Sequence, residues 1–149
     1  MNITFLDAST VDSGDINFNE IKQFGNLTTY SNSNSNNTAE RIKEAEIVIT
    51  NKVILDKETI ETAENLKLVV VSATGYNNVD LKSAGDKNVI VCNVVNYSTQ
   101  IVAQHTLSLI FNLCGQTHKY LYEKSLWPKS PIFTRLDHKV NEIYGKKIG

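Results

Sequence analysis

Three short polar stretches of the sequence combine residue types that can bind a small anion. Gly75 lets the backbone approach a ligand closely, Thr74 offers a hydroxyl group, and the backbone N–H groups beside them can surround an anion. Lys52 adds a positive charge that could attract a carboxylate, although an isolated lysine after a strand is more often solvated. These residues therefore favour the binding of an anion such as a carboxylate. The three stretches are Thr50–Lys52, Ser72–Asn77 and Asn93–Ser98.

The elements that must position these stretches alternate between strand and helix. Short apolar runs rich in β-branched residues predict five strands, and the run before Ser72 has the two apolar faces of a strand buried in a parallel sheet. Segments between the runs predict four helices, with Asp56 as the cap of the third and Asn77 or Asn78 as the cap of the fourth. The predicted strands are Asn2–Leu6, Leu27–Tyr30, Ile47–Ile49, Leu66–Val71 and Val89–Cys92.

This alternation predicts an α/β fold with right-handed βαβ units and a parallel sheet that helices cover on both faces. Ligands of such sheets bind beyond the carboxyl ends of the strands. Because all three polar stretches follow strands, one edge of the sheet should bring them together. We therefore expect a ligand site at this edge, with Ser72–Asn77 at its centre.

Composition and charge exclude several classes of partner. The chain has 149 residues, which suffices for a hydrophobic core, and its net charge of -1 gives no reason to expect nucleic acid or an anionic membrane as partner. Its start lacks the features of a signal peptide, and no segment has the apolar length that a membrane span needs. His118 and His138 have no metal-ligand spacing with each other or with the cysteines, so we expect surface histidines and no metal site. Cys92 and Cys114 lie in apolar surroundings, and we expect buried free thiols in a reducing cytoplasm.

The segment Ser98–Tyr120 predicts one long helix that is apolar around most of its circumference. Its one narrow polar stripe recurs every four residues from Gln104 to Gln116. A helix this apolar must be covered on several sides, so we expect contact with a second domain or another subunit. His105 lies within the helix and has no aspartate placed by the sequence to orient it. We therefore expect a structural or interface histidine rather than a catalytic base.

The sequence resembles the D-isomer-specific 2-hydroxyacid dehydrogenases, and within them most closely the glycerate dehydrogenase (hydroxypyruvate reductase) branch. The similarity covers nearly the whole chain in collinear order. Its last piece predicts a turn that enters a new strand and resembles the start of the family's nucleotide-binding strand, which suggests a part of a larger protein. The matching pieces are Thr50–Val53, Ala73–Asp80, Val91–Val94, Tyr97-Ser98, Val102–Thr106 and Tyr144–Gly149.

The resemblance implies a fold and an activity. Residues 1–97 would form a flavodoxin-like substrate domain with a five-stranded parallel sheet. Residues 98–149 would form a long linker helix and the beginning of an incomplete Rossmann domain. The complete enzyme would pass a hydride between NAD(H), with NADP(H) not excluded, and a small D-2-hydroxy acid or 2-keto acid, with glycerate and hydroxypyruvate as the expected pair. It would be a homodimer, with the linker helix near the interface.

The same resemblance assigns roles to individual residues. The backbone N–H groups of Ala73–Tyr76 would hold the substrate carboxylate, and Thr74 would also contact the cofactor. Three further side chains would line the substrate pocket, and Thr106 would lie on the cofactor side. Those three residues are Asn51, Lys52 and Tyr97.

The catalytic residues of the family are not expected in this chain. The family's glycine fingerprint, the acidic residue that binds the ribose, and the catalytic Arg, Glu and His would all lie beyond Gly149. The isolated chain should therefore have little or no activity.

Two other hypotheses stay open at this point. A truncated chain could persist as a non-catalytic, flavodoxin-like binding or dimerisation module. A response-regulator-like receiver would have the same topology, but it needs an acidic cluster at the strand ends. Asp7 would fit such a cluster, whereas the third strand is followed by Thr50 and Asn51 instead of an aspartate.

Overall fold

Five parallel strands form the sheet around which the first part of the chain is built. The computed structural model describes residues 1–148, and the chain divides into a first unit, Met1–Asn96, and a second that begins at Tyr97. The spatial order is β2-β1-β3-β4-β5, which is the flavodoxin-like order and confirms the predicted fold class. The strands are β1 (Asn2–Phe5), β2 (Asn26–Thr29), β3 (Ile47–Thr50), β4 (Leu68–Val71) and β5 (Ile90–Asn93).

Four short helices connect the strands of the first unit. A turn of 3-10 helix, Ala8–Thr10, follows β1 directly. Because each crossover between parallel strands has to return the chain to the same end of the sheet, every strand ends at the same edge. The helices are α1 (Asn19–Lys22), α2 (Thr38–Ile42), α3 (Lys57–Thr62) and α4 (Leu81–Asp86).

One face of the sheet is covered at β3 and β4. Val48, Val69 and Val71 have no exposed surface, and they form one cluster with Ile60 of α3 and Ala84 of α4. Burying a valine side chain of this kind contributes about 1.5–3 kcal/mol relative to leaving it exposed. This cluster therefore accounts for one of the two apolar faces of β3 and β4.

The opposite face of the sheet is buried at β1 and exposed at β5. Ile3 and Phe5 of β1 are 2% exposed, and Phe18 packs edge-to-face on Phe5 with ring centroids 5.8 Å apart. Across the sheet from Ile3, the register leads through β3 and β4 to Ile90 of β5, which is 63% exposed. The prediction that helices cover both faces is therefore wrong for β5 in the described residues, because no helix of the first unit packs over that side.

The caps of α3 and α4 differ in how well the sequence predicted them. Asp56 caps α3 as predicted, and its Oδ1 accepts a hydrogen bond from the Thr59 amide at 2.9 Å. Asp80, rather than Asn77 or Asn78, caps α4 and accepts from the Ser83 amide at 3.0 Å. The prediction failed because Asn78 is held elsewhere: its side chain donates to the Val53 carbonyl at 2.9 Å.

The predicted helix Ser98–Tyr120 is two helices. α5 spans Thr99–Gly115 and α6 spans Thr117–Tyr122, and Gln116 between them has a left-handed backbone (φ 53°, ψ 27°). The Asn112 side chain accepts from the His118 amide at 3.1 Å and so stabilises the start of α6. No residue of α5 is buried in the described part of the chain, so the expected contact of its apolar surface with another domain or subunit stays a prediction.

The two cysteines are free thiols as predicted, but the prediction that they are buried is wrong. Cys92 is exposed and Cys114 is half-buried, and neither is in a disulfide. The apolar neighbours of Cys92 in the sequence suggested burial. β5, however, is an edge strand of the sheet, and Cys92 lies on the face that is exposed at this strand. The environment of a strand residue depends on strand order, which local sequence does not specify.

An ionic cluster organises the end of the second unit. The Glu123 carboxylate accepts from Arg135 Nη2 at 3.1 Å and lies 3.0 Å from His138 Nε2. The His138 side chain is only 18% exposed, so the expectation of a surface histidine was wrong. A 3-10 helix, Lys124–Lys129, follows α6. The predicted turn near the end of the chain is present at Gly145 (φ 70°), no strand has begun by Ile148 in the described residues, and Gly149 lies outside them.

A lysine joins the two helices that flank the predicted site. Lys87 Nζ, after α4, donates to the carbonyl oxygens of Ile60, Glu61 and Ala63 at 3.0, 3.2 and 2.9 Å. These carbonyls lie at the carboxyl end of α3, where the helix dipole favours a cation. Lys87 therefore ties α3 to α4.

We expect Lys87→Met to lower the free energy of unfolding by about 2 kcal/mol, because three carbonyls lose a charged donor, two of them in partly buried hydrogen bonds, while the aliphatic stem is kept. Urea unfolding followed by circular dichroism measures the change. Lys82→Met, on exposed α4 surface, is the control and should leave the midpoint unchanged. Equal effects of the two substitutions would contradict the role given to Lys87.

Candidate functional site

A buried carboxylate holds the loop that follows β3. Asp7, two residues after the end of β1, is 3% exposed. Its Oδ1 accepts from the Asn51 amide at 2.9 Å and its Oδ2 accepts from the Lys52 amide at 2.7 Å. A carboxylate that accepts from two backbone amides has the satisfied partners that a buried charge needs. Asp7 therefore fixes the position of Asn51 and Lys52, two residues that the resemblance assigned to the substrate pocket.

The loop after β3 is bonded to the loop after β4. The amide of Ser72 donates to the Thr50 carbonyl at 2.8 Å, and its hydroxyl donates to the same oxygen at 3.2 Å. On the other side, the Asn93 side chain donates to the Thr74 carbonyl at 2.7 Å. These bonds bring the ends of β3, β4 and β5 together, as the parallel sheet predicted.

A second set of bonds joins the same loops farther from the sheet. Leu55 and Val79 form an isolated parallel bridge. The Leu55 amide donates to the Asn78 carbonyl at 2.8 Å, and the Asp80 amide donates to the Leu55 carbonyl at 2.9 Å. The loops after β3 and β4 are therefore bonded to each other both next to the sheet and farther from it. The segment Ala73–Tyr76 spans the distance between these two sets of bonds, and we call it the arch.

The arch presents backbone donors to its surroundings. Ala73 is 5% exposed, whereas Thr74, Gly75 and Tyr76 are exposed. The carbonyls of Ala73 and Thr74 accept from Val94 and Asn93, but the amides of Ala73–Tyr76 donate to no other group in the part of the chain that the structure describes. Unpaired N–H groups in succession are the arrangement that binds an anion through the backbone.

Gly75 has room for a side chain in the free protein. A Cβ atom built on it would meet only Asn77 Oδ1, at 3.5 Å, which is an ordinary contact. No left-handed backbone or close packing within the described residues requires glycine here. A methyl group at this position would therefore affect what approaches the arch more than it would affect folding.

The charges near the arch are arranged in favour of an anion. Residues 72–77 carry no charge, and Lys52 adds an exposed positive side chain on the neighbouring loop. The nearby carboxylates at the starts of α3 and α4 are paired. Hydrogen bonds from Thr59 lower the pKa of Asp56, and the hydrogen bond from the Ser83 amide lowers the pKa of Asp80.

The structure separates the predicted site residues into two groups. Asn51, Lys52 and the arch Ala73–Tyr76 share the carboxyl edge of the sheet in the first unit. Tyr97, which is 59% exposed, and Thr106 belong to the second unit. The Thr106 hydroxyl donates to the Val102 carbonyl at 2.8 Å within α5. Roles for Tyr97 and Thr106 in the site stay predictions.

Sequence reasoning missed the residue that supports the site. It treated Asp7 only as a polar exit from β1 or as a member of an acidic cluster. The signal that could have found it is an aspartate placed directly after a buried strand. Such a carboxylate must find donors, and the amides of an adjacent loop are the nearest ones available.

Two classes of site find no support in the described residues. Between residues 1 and 148, no group of three or more histidine, cysteine, aspartate or glutamate side chains could hold a metal ion. Among the helices of those residues, none combines the length and the hydrophobicity that crossing a bilayer requires.

Comparison with known proteins gives a family match over most of the chain. Residues 5–135 match the family described as D-isomer specific 2-hydroxyacid dehydrogenase, catalytic domain. A protein of Haemophilus influenzae, whose name assigns it provisionally to the 2-hydroxyacid dehydrogenases, is 35% identical over 100% of this chain and 48% of its own length. A hydroxypyruvate reductase of Blautia hydrogenotrophica is 30% identical over 100% of this chain and 48% of its own length. The chain spans about half the length of the curated relatives it matches.

Solved structures have the same fold. An acyclic imino acid reductase in complex with NADPH and D-Arg has a TM-score of 0.72 and is 26% identical, over 93% of this chain and 42% of that protein. A D-lactate dehydrogenase of Aquifex aeolicus, complexed with NAD and lactic acid, has a TM-score of 0.71 and is 19% identical, over 95% of this chain and 41% of that protein.

We expect Asp7→Asn to destabilise the first unit by about 1–3 kcal/mol, because the introduced amide nitrogen cannot accept from a backbone N–H and one buried donor loses its partner. Urea unfolding gives the free energy, and amide chemical shifts of Asn51 and Lys52 report the loop directly. Asp86→Asn makes the same change on exposed α4 surface and should alter neither. Unchanged Asn51 and Lys52 shifts in Asp7→Asn would show that Asp7 does not hold the loop.

Proposed function

Because this chain belongs to the D-isomer-specific 2-hydroxyacid dehydrogenase family, we propose that it forms the substrate-binding side of an oxidoreductase. The enzyme passes a hydride between a nicotinamide dinucleotide and C2 of a small D-2-hydroxy acid or 2-keto acid. Hydroxypyruvate and D-glycerate are the proposed pair. The similarity to a protein named hydroxypyruvate reductase supports this choice.

The observation that carries the proposal is the set of unpaired amides in the arch Ala73–Tyr76. A 2-keto acid presents a carboxylate beside the carbonyl that is reduced. Several N–H donors on one short loop can bind both oxygens of that carboxylate, and charge-assisted bonds of this kind are stronger than neutral ones. Holding the carboxylate fixes the position of C2, which is the atom that reacts.

The side chains around the arch have supporting roles. Lys52 attracts the anionic substrate, and Asn51 lines the same wall, since Asp7 fixes the backbone of both residues. Tyr76 belongs to the arch and is 47% exposed, so we propose that its ring excludes water from the bound acid. We assign Tyr97 to the same pocket on the basis of the family resemblance.

The nicotinamide cofactor supplies the hydride when it is bound. Thr74 fits a role beside it, because its hydroxyl is exposed on the arch that holds the substrate. Thr106 has an exposed side chain on α5, and its hydroxyl oxygen can accept a further hydrogen bond. A cradle for the dinucleotide phosphates is absent from the described residues, so we propose that the remaining length of the enzyme provides it. NAD(H) is the proposed cofactor, and NADP(H) is the alternative.

The setting of the enzyme follows from two further features. Both cysteines are unpaired, which agrees with a reducing cytoplasm. The exposed apolar surface of α5 would be covered in the complete enzyme by its nucleotide-binding part and by a second subunit, which makes the enzyme a homodimer.

A chimera tests the proposed function. Residues 1–148 are joined to the corresponding second half of the Blautia hydroxypyruvate reductase, and NADH oxidation is followed with hydroxypyruvate. We expect turnover by the chimera and none by the 149-residue chain alone, because a hydride donor must be held opposite the arch. A folded chimera that binds NADH yet reduces neither hydroxypyruvate nor glyoxylate nor pyruvate would overturn the proposal, as would full activity of the chain alone. Parallel assays with NADPH decide the cofactor.

A substitution in the arch tests the role of its amides. In the active chimera, Gly75→Ala should lower kcat/KM by about tenfold to hundredfold, chiefly through KM, because a methyl group hinders approach to the donors. Folding should not change, since the added Cβ makes one ordinary contact. Gly85→Ala is the control, because no atom lies within 4 Å of its added Cβ. If both variants keep the same KM, the arch does not bind the carboxylate.

A further inference from the structure

Two successive carbonyls of the arch are held from the same side. The Ala73 carbonyl accepts from the Val94 amide at 3.1 Å, and the Thr74 carbonyl accepts from the Asn93 side chain at 2.7 Å. Asn93 is the last residue of β5, and Val94 follows it. In an extended strand, the carbonyls of consecutive residues point to opposite sides. The arch departs from that alternation, because both of these carbonyls face the end of β5.

The direction of each carbonyl sets the direction of the amide that follows it. The peptide bonds of the arch are trans, and in a planar trans peptide the C=O and N–H groups point in opposite directions. The Thr74 N–H shares its peptide with the Ala73 carbonyl, and the Gly75 N–H shares its peptide with the Thr74 carbonyl. Both N–H groups therefore point away from β5. Two successive amides on one side form the concavity that binds an anion.

Asn93 provides the one donor of this pair that depends on a side chain. The Val94 donor belongs to the backbone and is present with any residue except proline. The Asn93 side chain is half-buried, and its NH2 group is the part that can donate to a carbonyl oxygen. Its bond also polarises the Thr74–Gly75 peptide, because hydrogen bonds in a chain strengthen one another. Asn93 therefore sets both the direction and the strength of the Gly75 donor.

We propose that Asn93 is a positioning residue for substrate binding, which directs the Gly75 N–H at the substrate carboxylate by holding the Thr74 carbonyl. This inference rests on the proposed function, since the carboxylate is that of the 2-keto or 2-hydroxy acid. It assigns carboxylate binding to two particular donors of the arch, the amides of Thr74 and Gly75. Without the Asn93 bond, the Thr74–Gly75 peptide could turn, and fixing it would cost free energy in each binding event.

NMR of the 149-residue chain tests the coupling without a substitution. The probe is D-glycerate, and the control is glycerol, which has a hydroxymethyl group in place of the carboxylate. D-Glycerate should shift the Thr74 and Gly75 amide signals together with the side-chain NH2 signals of Asn93, because an anion at the N–H strengthens the bond at the carbonyl of the same peptide. Glycerol should shift none of them. The NH2 signals of exposed Asn26, at the start of β2, should not respond to either compound.

Kinetics of the active chimera measure the effect on substrate binding. Asn93→Leu removes the donor without adding a charge, and it should raise KM for hydroxypyruvate by about tenfold. It should change kcat and KM for NADH little, because the Gly75 N–H binds the acid and not the cofactor. Asn26→Leu makes the same substitution on exposed β2 surface and should leave all three constants unchanged. A general structural defect would instead lower kcat or raise both KM values.

The unsubstituted chimera separates failure of this inference from failure of the proposed function. If it reduces hydroxypyruvate and Asn93→Leu keeps the same KM or raises both KM values equally, the inference alone is overturned. A Gly75 amide that responds to D-glycerate while the Asn93 NH2 signals stay unchanged overturns it as well. If the chimera binds NADH but reduces no 2-keto acid, and D-glycerate shifts no amide of the arch, the proposed function fails and the inference fails with it.

Discussion

The candidate site depends on one buried carboxylate. Parallel strands end at the same edge of the sheet. The loops that follow leave this edge in different directions, and the hydrogen bonds between the strands do not fix their positions. Asp7 supplies that constraint, since its two oxygens hold the amides of Asn51 and Lys52 against the end of β1. Ser72 donates to the Thr50 carbonyl, and the Asn93 side chain donates to the Thr74 carbonyl. Through these bonds the loop that Asp7 holds also fixes the positions of the loops after β4 and β5.

The sequence predicted the parts of this arrangement that rest on local pattern. Apolar β-branched runs marked the five strands, and a polar stretch with a glycine marked the arch after β4. Asp56 was recognised as a helix cap because the cap and the amide that it binds are three residues apart. The contact of Asp7 with Asn51 joins residues 44 positions apart, and no local pattern reveals it.

Errors arose where tertiary contacts overrode local preference. Asn78 has the residue type of a helix cap, but its side chain bonds to Val53 on another loop, so α4 starts three residues after it with Asp80 as cap. Cys92 has apolar neighbours in sequence, yet its exposure follows from the position of β5 at the edge of the sheet. Gln116 lies within an apolar helical pattern but adopts a left-handed backbone after Gly115.

The bonds that join α3 to α4 have a consequence for motion. Lys87 links the end of α3 to α4, and the Leu55–Val79 bridge links the loops that precede the two helices. Because both ends are tied, the two loops and two helices have little freedom to move separately and should move as one rigid body. The conformational entropy of ordering these loops is lost during folding, so a ligand that binds at the arch would meet a surface that is already arranged.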